Sequence, residues 1–507
     1  MSTTTHLAQS DVDSFDYIIV GGGTAGCVIA SRLAEYLPHK KTLLIEAGPS
    51  DYMDDRVLLL KDWLKLLGGE LDYDYPTTEQ PMGNSHIRHS RAKVLGGCSS
   101  HNTLISFRPF EYDAKIWESR GAKAGAQPPS EPAVQGLGEL VLQRDGYSRR
   151  SRFQQEDYGF DASVAYIHPI LSGKEKRPNL TILTNAWVGK VNVTGDRVTG
   201  VNVALQSGER LVLKAKKETI LCGGAVDTAR LLLLSGIGPA EDLSKLNIPV
   251  VKDIPGVGEN LQDHHESIII WELNRPVPQN QTTMDSDAGI FLRREKPNSA
   301  TEGGIPDGNI ADTMMHCYQI PFCLNTARLG YDSPDAAFCM TPNTMRPRSR
   351  GKLYLTSADP NVKPALDFRY FTDPEGYDAA TIVFGLKAAR KIAQQEPFKS
   401  WIKREVAPGP DVQSDEALSE YGRRVAHTVY HPVGTTKMGD VKTDDKAVVD
   451  EKLRVRGLKG VRIADAGVFP TMVSINPMLT VLAIGERCAE MIAEEGGWKM
   501  GVEVARL

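Results

Sequence analysis

Apolar positions fall first into a short block, Tyr17 to Val20 of "FDYIIVGGGTAGCVIASRLAE", followed by a glycine turn and then by apolar residues at helical spacing. A second short apolar block, in "KTLLIEAGP", ends at Glu46. The pattern predicts strand, turn, helix and strand, one βαβ unit. From Pro178 onward, apolar and polar residues alternate between the turn signals "TGDR" and "SGER", which predicts several hairpin strands. "VDTARLLLLSGIGP" predicts a helix closed by glycine and proline. Residues 263–430 mix extended runs, loops and one long helix, "GYDAATIVFGLKAARKIAQQ", with apolar residues at helical spacing. The end of the chain returns to a strand in "GVRIADAGV" and a helix in "PMLTVLAIGERCAEMIAEE". Residues 118–163, with "GAKAGAQPPSEPAVQGLGEL", lack periodicity and read as loop.

At 507 residues the chain is too long for one compact core, so two or more domains are expected. A net charge of -5 gives no nucleic-acid or anionic-membrane surface. Seven scattered cysteines without a C-x-x-C pair suit a reducing compartment. No apolar run reaches the ~18 residues of a membrane span. "MSTTTHLAQSDVDSF" at the start lacks the apolar centre of a secretory signal. Ala505, Arg506 and Leu507 approximate the peroxisomal address, so the expected location is the peroxisome or the cytoplasm.

Gly21, Gly23 and Gly26 fit G-x-G-x-x-G, and the predicted strand before and helix after them give that motif its context. The first glycine permits the tight turn, the second lets a pyrophosphate approach the backbone, and the third lets helix pack on strand. The helix N-terminus, beginning near Thr24, offers free N–H groups to phosphate. Glu46 stands where a carboxylate accepts from ribose hydroxyls. The motif predicts dinucleotide binding without separating FAD from NAD. Farther on, "KVLGGCSSHNT" runs glycines, a cysteine and serines into His101. Read alone, His101 is a loop histidine satisfied by hydrogen bonds, and His431 in "TVYHPVGT" and His316 in "TMMHCYQIPF" are packing histidines.

Taken together, the glycine turn, "VLGGCSSHN", "SGIGP", "PGVGENLQDH" and "HPVGT" resemble the glucose–methanol–choline oxidoreductase family over nearly the whole chain. "RAKVLGGCSSHN", "RYFTDPEG", "TVYHPVGT" and "IGERCA" resemble the branch that oxidises choline. The resemblance implies an α/β fold with an α+β second domain. An FAD-binding Rossmann-like domain is assembled from residues 1–117, 175–262 and 431–507. Residues 118–174 form a shortened cap or linker, and residues 263–430 form a substrate domain with an antiparallel sheet and flanking helices. It also implies that His101 carries the FAD covalently. The small residues before it, Gly97, Cys98, Ser99 and Ser100, let the backbone lie against a flavin edge. Asn102, Val188, Asp465 and Ala466 are further implied cofactor contacts.

Oxidising an alcohol requires loss of the hydroxyl proton and transfer of a hydride from carbon, and histidine suits the proton step. The resemblance implies that His431 is the base and that Asn476 in "INPMLT" orients the substrate oxygen. His316 is implied to stabilise the alkoxide, with Thr103 near the same oxygen and Val429 shaping the oxygen-accessible face. A quaternary ammonium has no N–H to bond, so aromatic faces and a carboxylate must recognise it. Trp63, Tyr430 and Glu272 match those places, although Trp63 also suits an amphipathic helix and Glu272 a solvent-facing strand charge. Two departures stand out: Asp285 and Ser286 in "TTMDSDAGIF" replace an aromatic wall, and residues 118–163 are short. The expectation is an FAD-dependent alcohol oxidase acting on choline and then betaine aldehyde, with O2 reduced to hydrogen peroxide, in a homodimer by family habit, with no metal. A dehydrogenase using a quinone or other acceptor, and a non-catalytic flavin-binding protein, are the alternatives.

Overall fold

The computed structural model describes residue 7 and residues 15–103, 105, 110–122, 161–277, 286–294 and 310–498, with the side chains of 61 and 286–288 excepted. Most of the unperiodic segment, Asp285 and the C-terminal tripeptide lie outside the described residues.

The first apolar block forms the strand Tyr17–Val20 and the second forms Thr42–Ile45, joined by the helix Thr24–Tyr36. Both strands are buried along their whole length, as expected where helices cover a parallel sheet on both faces. The sheet runs in the order Val461–Ile463, Glu218–Leu221, Tyr17–Val20, Thr42–Ile45, Leu180–Leu183, with every pairing parallel. Its central strand therefore comes from the start of the chain and its edge strand from near the end. The C-terminal helix Met478–Glu495 packs on the first helix, and a buried ion pair joins them: Arg32 Nε donates to Glu486 Oε2 at 2.8 Å. The Tyr166 hydroxyl donates to the same carboxylate at 2.9 Å.

The alternating segment after Pro178 forms the antiparallel strands Ala186–Thr194, Arg197–Leu205 and Arg210–Lys214. A separate sheet of seven antiparallel strands makes up the second half of the fold. Ser286–Leu292, Thr313–Tyr318, Ala337–Thr344, His265–Glu266 and His427–Thr428 lie side by side in that order. Ile269–Leu273 pairs with Ala337–Thr344 on one side and Ile402–Ala407 on the other. The long helix Tyr377–Ala393 packs on this sheet. The parallel sheet and the antiparallel sheet give the α/β and α+β architecture that the sequence predicts.

Candidate active site

The turn after Tyr17–Val20 is built from contacts that only glycine permits. Gly21 has φ +101°, and a Cβ there would lie 2.5 Å from the Cys222 carbonyl oxygen. Gly97, at φ +60° in the short helical turn Gly97–Ser100, faces the same turn, and a Cβ on it would meet Gly23 Cα at 2.6 Å. The two glycine loops thus abut, which brings the histidine at the end of the second loop to the nucleotide site. Glu46 is buried at the end of its strand and accepts from the Gly22 and Gly48 N–H groups, each at 2.8 Å. Burial pushes its carboxyl up to about 7, against the pull of those two N–H groups. Asp465 accepts from Gly224 N–H at 2.9 Å, the Thr228 hydroxyl at 2.6 Å and Gly467 N–H at 2.7 Å. Those donors satisfy a carboxylate whose burial would otherwise be costly.

One continuous cavity runs from this turn to the antiparallel sheet. Gly21, Gly23, Thr24, Glu46, Val188, Asp465 and Ala466 line it. So do Gly97, Cys98, Ser99, His101, Asn102 and Thr103 from the second loop. His316, Val429, Tyr430, His431, Asn476 and Trp63 line it as well. Gly26 lies outside it, and a Cβ there would clash with the Gly21 carbonyl, so its part is the close packing of helix on turn. Ser100 departs from its expected cofactor contact: its hydroxyl donates to the Leu95 carbonyl at 3.0 Å and braces the loop from behind.

His431 is set by hydrogen bonds whose directions can be assigned. His264 Nε2 lies 2.9 Å from the Met345 carbonyl, which can only accept, so that nitrogen carries a proton. Burial, before any other cause, lowers the His264 pKa to about 4 and the His431 pKa well below its usual value, so both rings are neutral. His264 Nδ1 is then an acceptor, and His431 Nδ1–H donates to it across 2.9 Å. The lone pair of His431 is left on Nε2, on a ring that lines the cavity. The backbone holds the ring in place: His431 N–H donates to Asp263 Oδ1 at 2.9 Å. The preceding Tyr430 has φ +61°, a conformation that is strained for a non-glycine residue. Its N–H donates to the Thr428 hydroxyl at 2.7 Å, and its carbonyl accepts from the Arg91 guanidinium.

Buried polar atoms without partners mark where a bound molecule would bond. Both ring nitrogens of His101, both of His316 and Oδ1 of Asn476 are of this kind. Burial lowers the pKa of His101 and of His316 to about 4, which keeps both rings neutral. Pro477, Met478 and Val481 line the cavity at the start of Met478–Glu495. The positive end of a long helix dipole thus meets the same space and favours negative charge there.

Glu272 corrects an expectation. Its carboxylate pairs with Lys403 Nζ and Arg404 Nε, each at 2.6 Å, and takes no part in the cavity. The partners lie on Ile402–Ala407, the edge strand beside Ile269–Leu273, so this face of the strand carries surface charge. At the end of the cavity beside the antiparallel sheet the lining carboxylate is Glu266, which the sequence reading missed. It is 4% exposed, its Oε2 has no partner, and burial pushes it up to about 8, with the charge of Asp263 adding to the shift. Among the described residues its nearest basic group is the His427 ring, with Nδ1 4.0 Å from Oε1. That ring is neutral, because burial lowers it to about 4, and its Nδ1–H donates to the Thr428 carbonyl at 2.6 Å. Arg91, Tyr318 and Phe322 are further lining residues that the sequence reading missed. Tyr318 could have been found from strand period, since it stands two residues beyond His316.

A parallel sheet with a glycine turn for a dinucleotide and a neutral histidine ring open on one cavity, an arrangement that suits a dinucleotide-dependent oxidoreductase. Residues 15–137 and 147–266 match the N-terminal family model described as GMC oxidoreductase, and residues 347–485 match the C-terminal one. The chain belongs to the GMC oxidoreductase family. It is 39% identical to choline oxidase of Arthrobacter globiformis, over 94% of each chain. It is 32% identical to an oxygen-dependent choline dehydrogenase of Staphylococcus aureus, over 94% of this chain and 93% of that one. Its fold superposes on the crystal structure of pyridoxine 4-oxidase from Mesorbium loti with a TM-score of 0.78 and 24% identity, covering 95% of this chain and 99% of that one. The residues present fit FAD: glycine turn and Glu46 at the nucleotide end, unpartnered His101 and Asn476 where the ring system would lie.

Proposed function

We propose that this protein oxidises choline to betaine aldehyde, and the aldehyde hydrate to glycine betaine, with dioxygen as the electron acceptor and hydrogen peroxide as the by-product. The observation that carries the reading is Glu266, a buried carboxylate with no Lys or Arg in ion-pair reach among the described residues, in the same cavity as the His431 ring. Burial disfavours the charged form of Glu266, and a quaternary ammonium ion would stabilise that form without needing a hydrogen bond. Similarity to a choline oxidase and a choline dehydrogenase supports the same substrate.

His431 Nε2 takes the hydroxyl proton, and its Nδ1–H remains bonded to His264, which keeps the ring in the accepting tautomer. Asn476 orients the substrate oxygen. His316 and the positive helix end favour the developing alkoxide, and Thr103 offers a hydroxyl beside it. The bound flavin supplies a two-electron acceptor for the hydride leaving the alcohol carbon. His101, whose two ring nitrogens lack partners, would hold that cofactor through a covalent bond. Such a bond would fix the cofactor to the loop and would leave it bound when the protein unfolds. Yellow colour that stays with the denatured protein checks the bond.

The function is tested by peroxide formation with choline under air, beside the rate with an artificial acceptor without oxygen. Peroxide at a rate matching choline loss supports the oxidase. Turnover with the artificial acceptor alone makes the protein a dehydrogenase. Far faster turnover of an uncharged aryl or long-chain alcohol overturns the substrate.

A further inference from the structure

Between Glu272 and Ile290 the chain contains no aromatic residue, so that stretch offers no ring to a cation. The neighbouring strand does. In Thr313–Tyr318 successive side chains alternate between faces, which places Met314, His316 and Tyr318 on one side. His316 and Tyr318 both line the cavity. Tyr318 closes the strand opposite Ser286, the first residue of Ser286–Leu292.

The Tyr318 ring belongs to an arc of rings around Glu266. It stacks on Phe322 at 5.9 Å between centroids and 12° between planes. Phe322 meets His427 edge-on at 5.7 Å, and His427 meets Tyr430 edge-on at 5.3 Å. The Glu266 carboxylate lies against His427 within this arc. Burial and then the charge of Glu266 raise the Tyr318 phenol, so the two groups are within electrostatic reach.

We propose that Tyr318 is a specificity-determining residue, a ring face on which the methylated ammonium of the substrate rests while Glu266 balances its charge. The inference rests on the quaternary-amine reading of the site given above. A flat ring attracts a desolvated cation through its quadrupole and excludes water from the carboxylate beside it. Phe322 and Tyr430 supply adjacent faces. The phenol hydroxyl has no part in this attraction, so a phenylalanine serves as well as a tyrosine.

The test compares choline with its uncharged isostere 3,3-dimethyl-1-butanol on the flavin-loaded enzyme, and measures tetramethylammonium binding without turnover. Tyr318→Phe leaves both KM values within about twofold. Tyr318→Leu raises KM for choline by about tenfold, weakens tetramethylammonium by a similar factor, and leaves the isostere's KM and both kcat values little changed. Tyr318→Met, a flexible apolar chain, gives the same result if the leucine variant fails to fold. An equal rise for choline and the isostere makes Tyr318 a packing residue and overturns the proposal, as does no change for either. A wild-type enzyme that binds tetramethylammonium through Tyr318 but does not oxidise choline overturns the proposed reaction while the cation site stands. A wild-type enzyme that does not bind the cation overturns both.

Discussion

Two glutamates show how far individual residues can be read from sequence. Glu272 and Glu266 stand six positions apart on consecutive strands that both pair with Ala337–Thr344, and either could serve a cation. Which one enters the cavity is decided by Lys403 and Arg404, which capture Glu272 from a strand about 130 residues away. No local pattern carries that information. Read alone, His431 was a packing histidine, and only the resemblance carried by "HPVGT" drew it to the site. Its tautomer was not legible, because it depends on the Met345 carbonyl through His264. The raised pKa of Glu266 gives a pH dependence. Below about 8 the free enzyme holds Glu266 neutral, and above it the carboxylate is charged. kcat/KM for choline is therefore expected to rise through that pH, whereas the uncharged isostere lacks the rise. Glu266→Gln removes the rise and raises KM for choline by roughly a hundredfold, by analogy with breaking a buried charge pair. His431→Ala lowers kcat by roughly 10²–10⁴, read by stopped-flow flavin reduction.

The first βαβ unit was legible at the level of elements because strand, turn and helix are coded within about thirty residues. The strand Thr313–Tyr318 was harder: its run mixes methionines, a histidine and a cysteine, and burial on both faces removes a clear alternation of polarity. The abutting glycine loops make a sharp prediction. Gly97→Ala places a Cβ at 2.6 Å from Gly23 Cα in a left-handed backbone position, so the loops must separate. The purified variant is expected to lose most of its flavin absorbance while keeping its far-ultraviolet circular dichroism. Between elements, the buried Arg32–Glu486 pair ties the first helix to the last. Glu486→Ala leaves an uncompensated guanidinium and lowers stability by about 3 kcal/mol, measured by denaturant unfolding.

For the whole molecule, the order of strands in the parallel sheet was beyond local reading. Val461–Ile463 pairs with Glu218–Leu221, more than two hundred residues earlier, and such pairing is fixed by side-chain packing over both sheet faces. The resemblance implied an architecture that the hydrophobic pattern alone left open. Because the cavity lies where both sheets meet one ligand, cofactor binding is linked to folding. In a His101→Ala variant, which cannot form the bond, removing FAD is expected to lower the melting temperature, and adding it back to restore it in a concentration-dependent way.

Arg91 sits ten residues before His101 and grips the carbonyl just before His431. One guanidinium thus ties the segment that leads into His101 to the turn that carries His431, although some 330 residues of chain separate the two histidines. Replacing that arginine would release the strained Tyr430 peptide, and with it the turn on which the His431 ring depends.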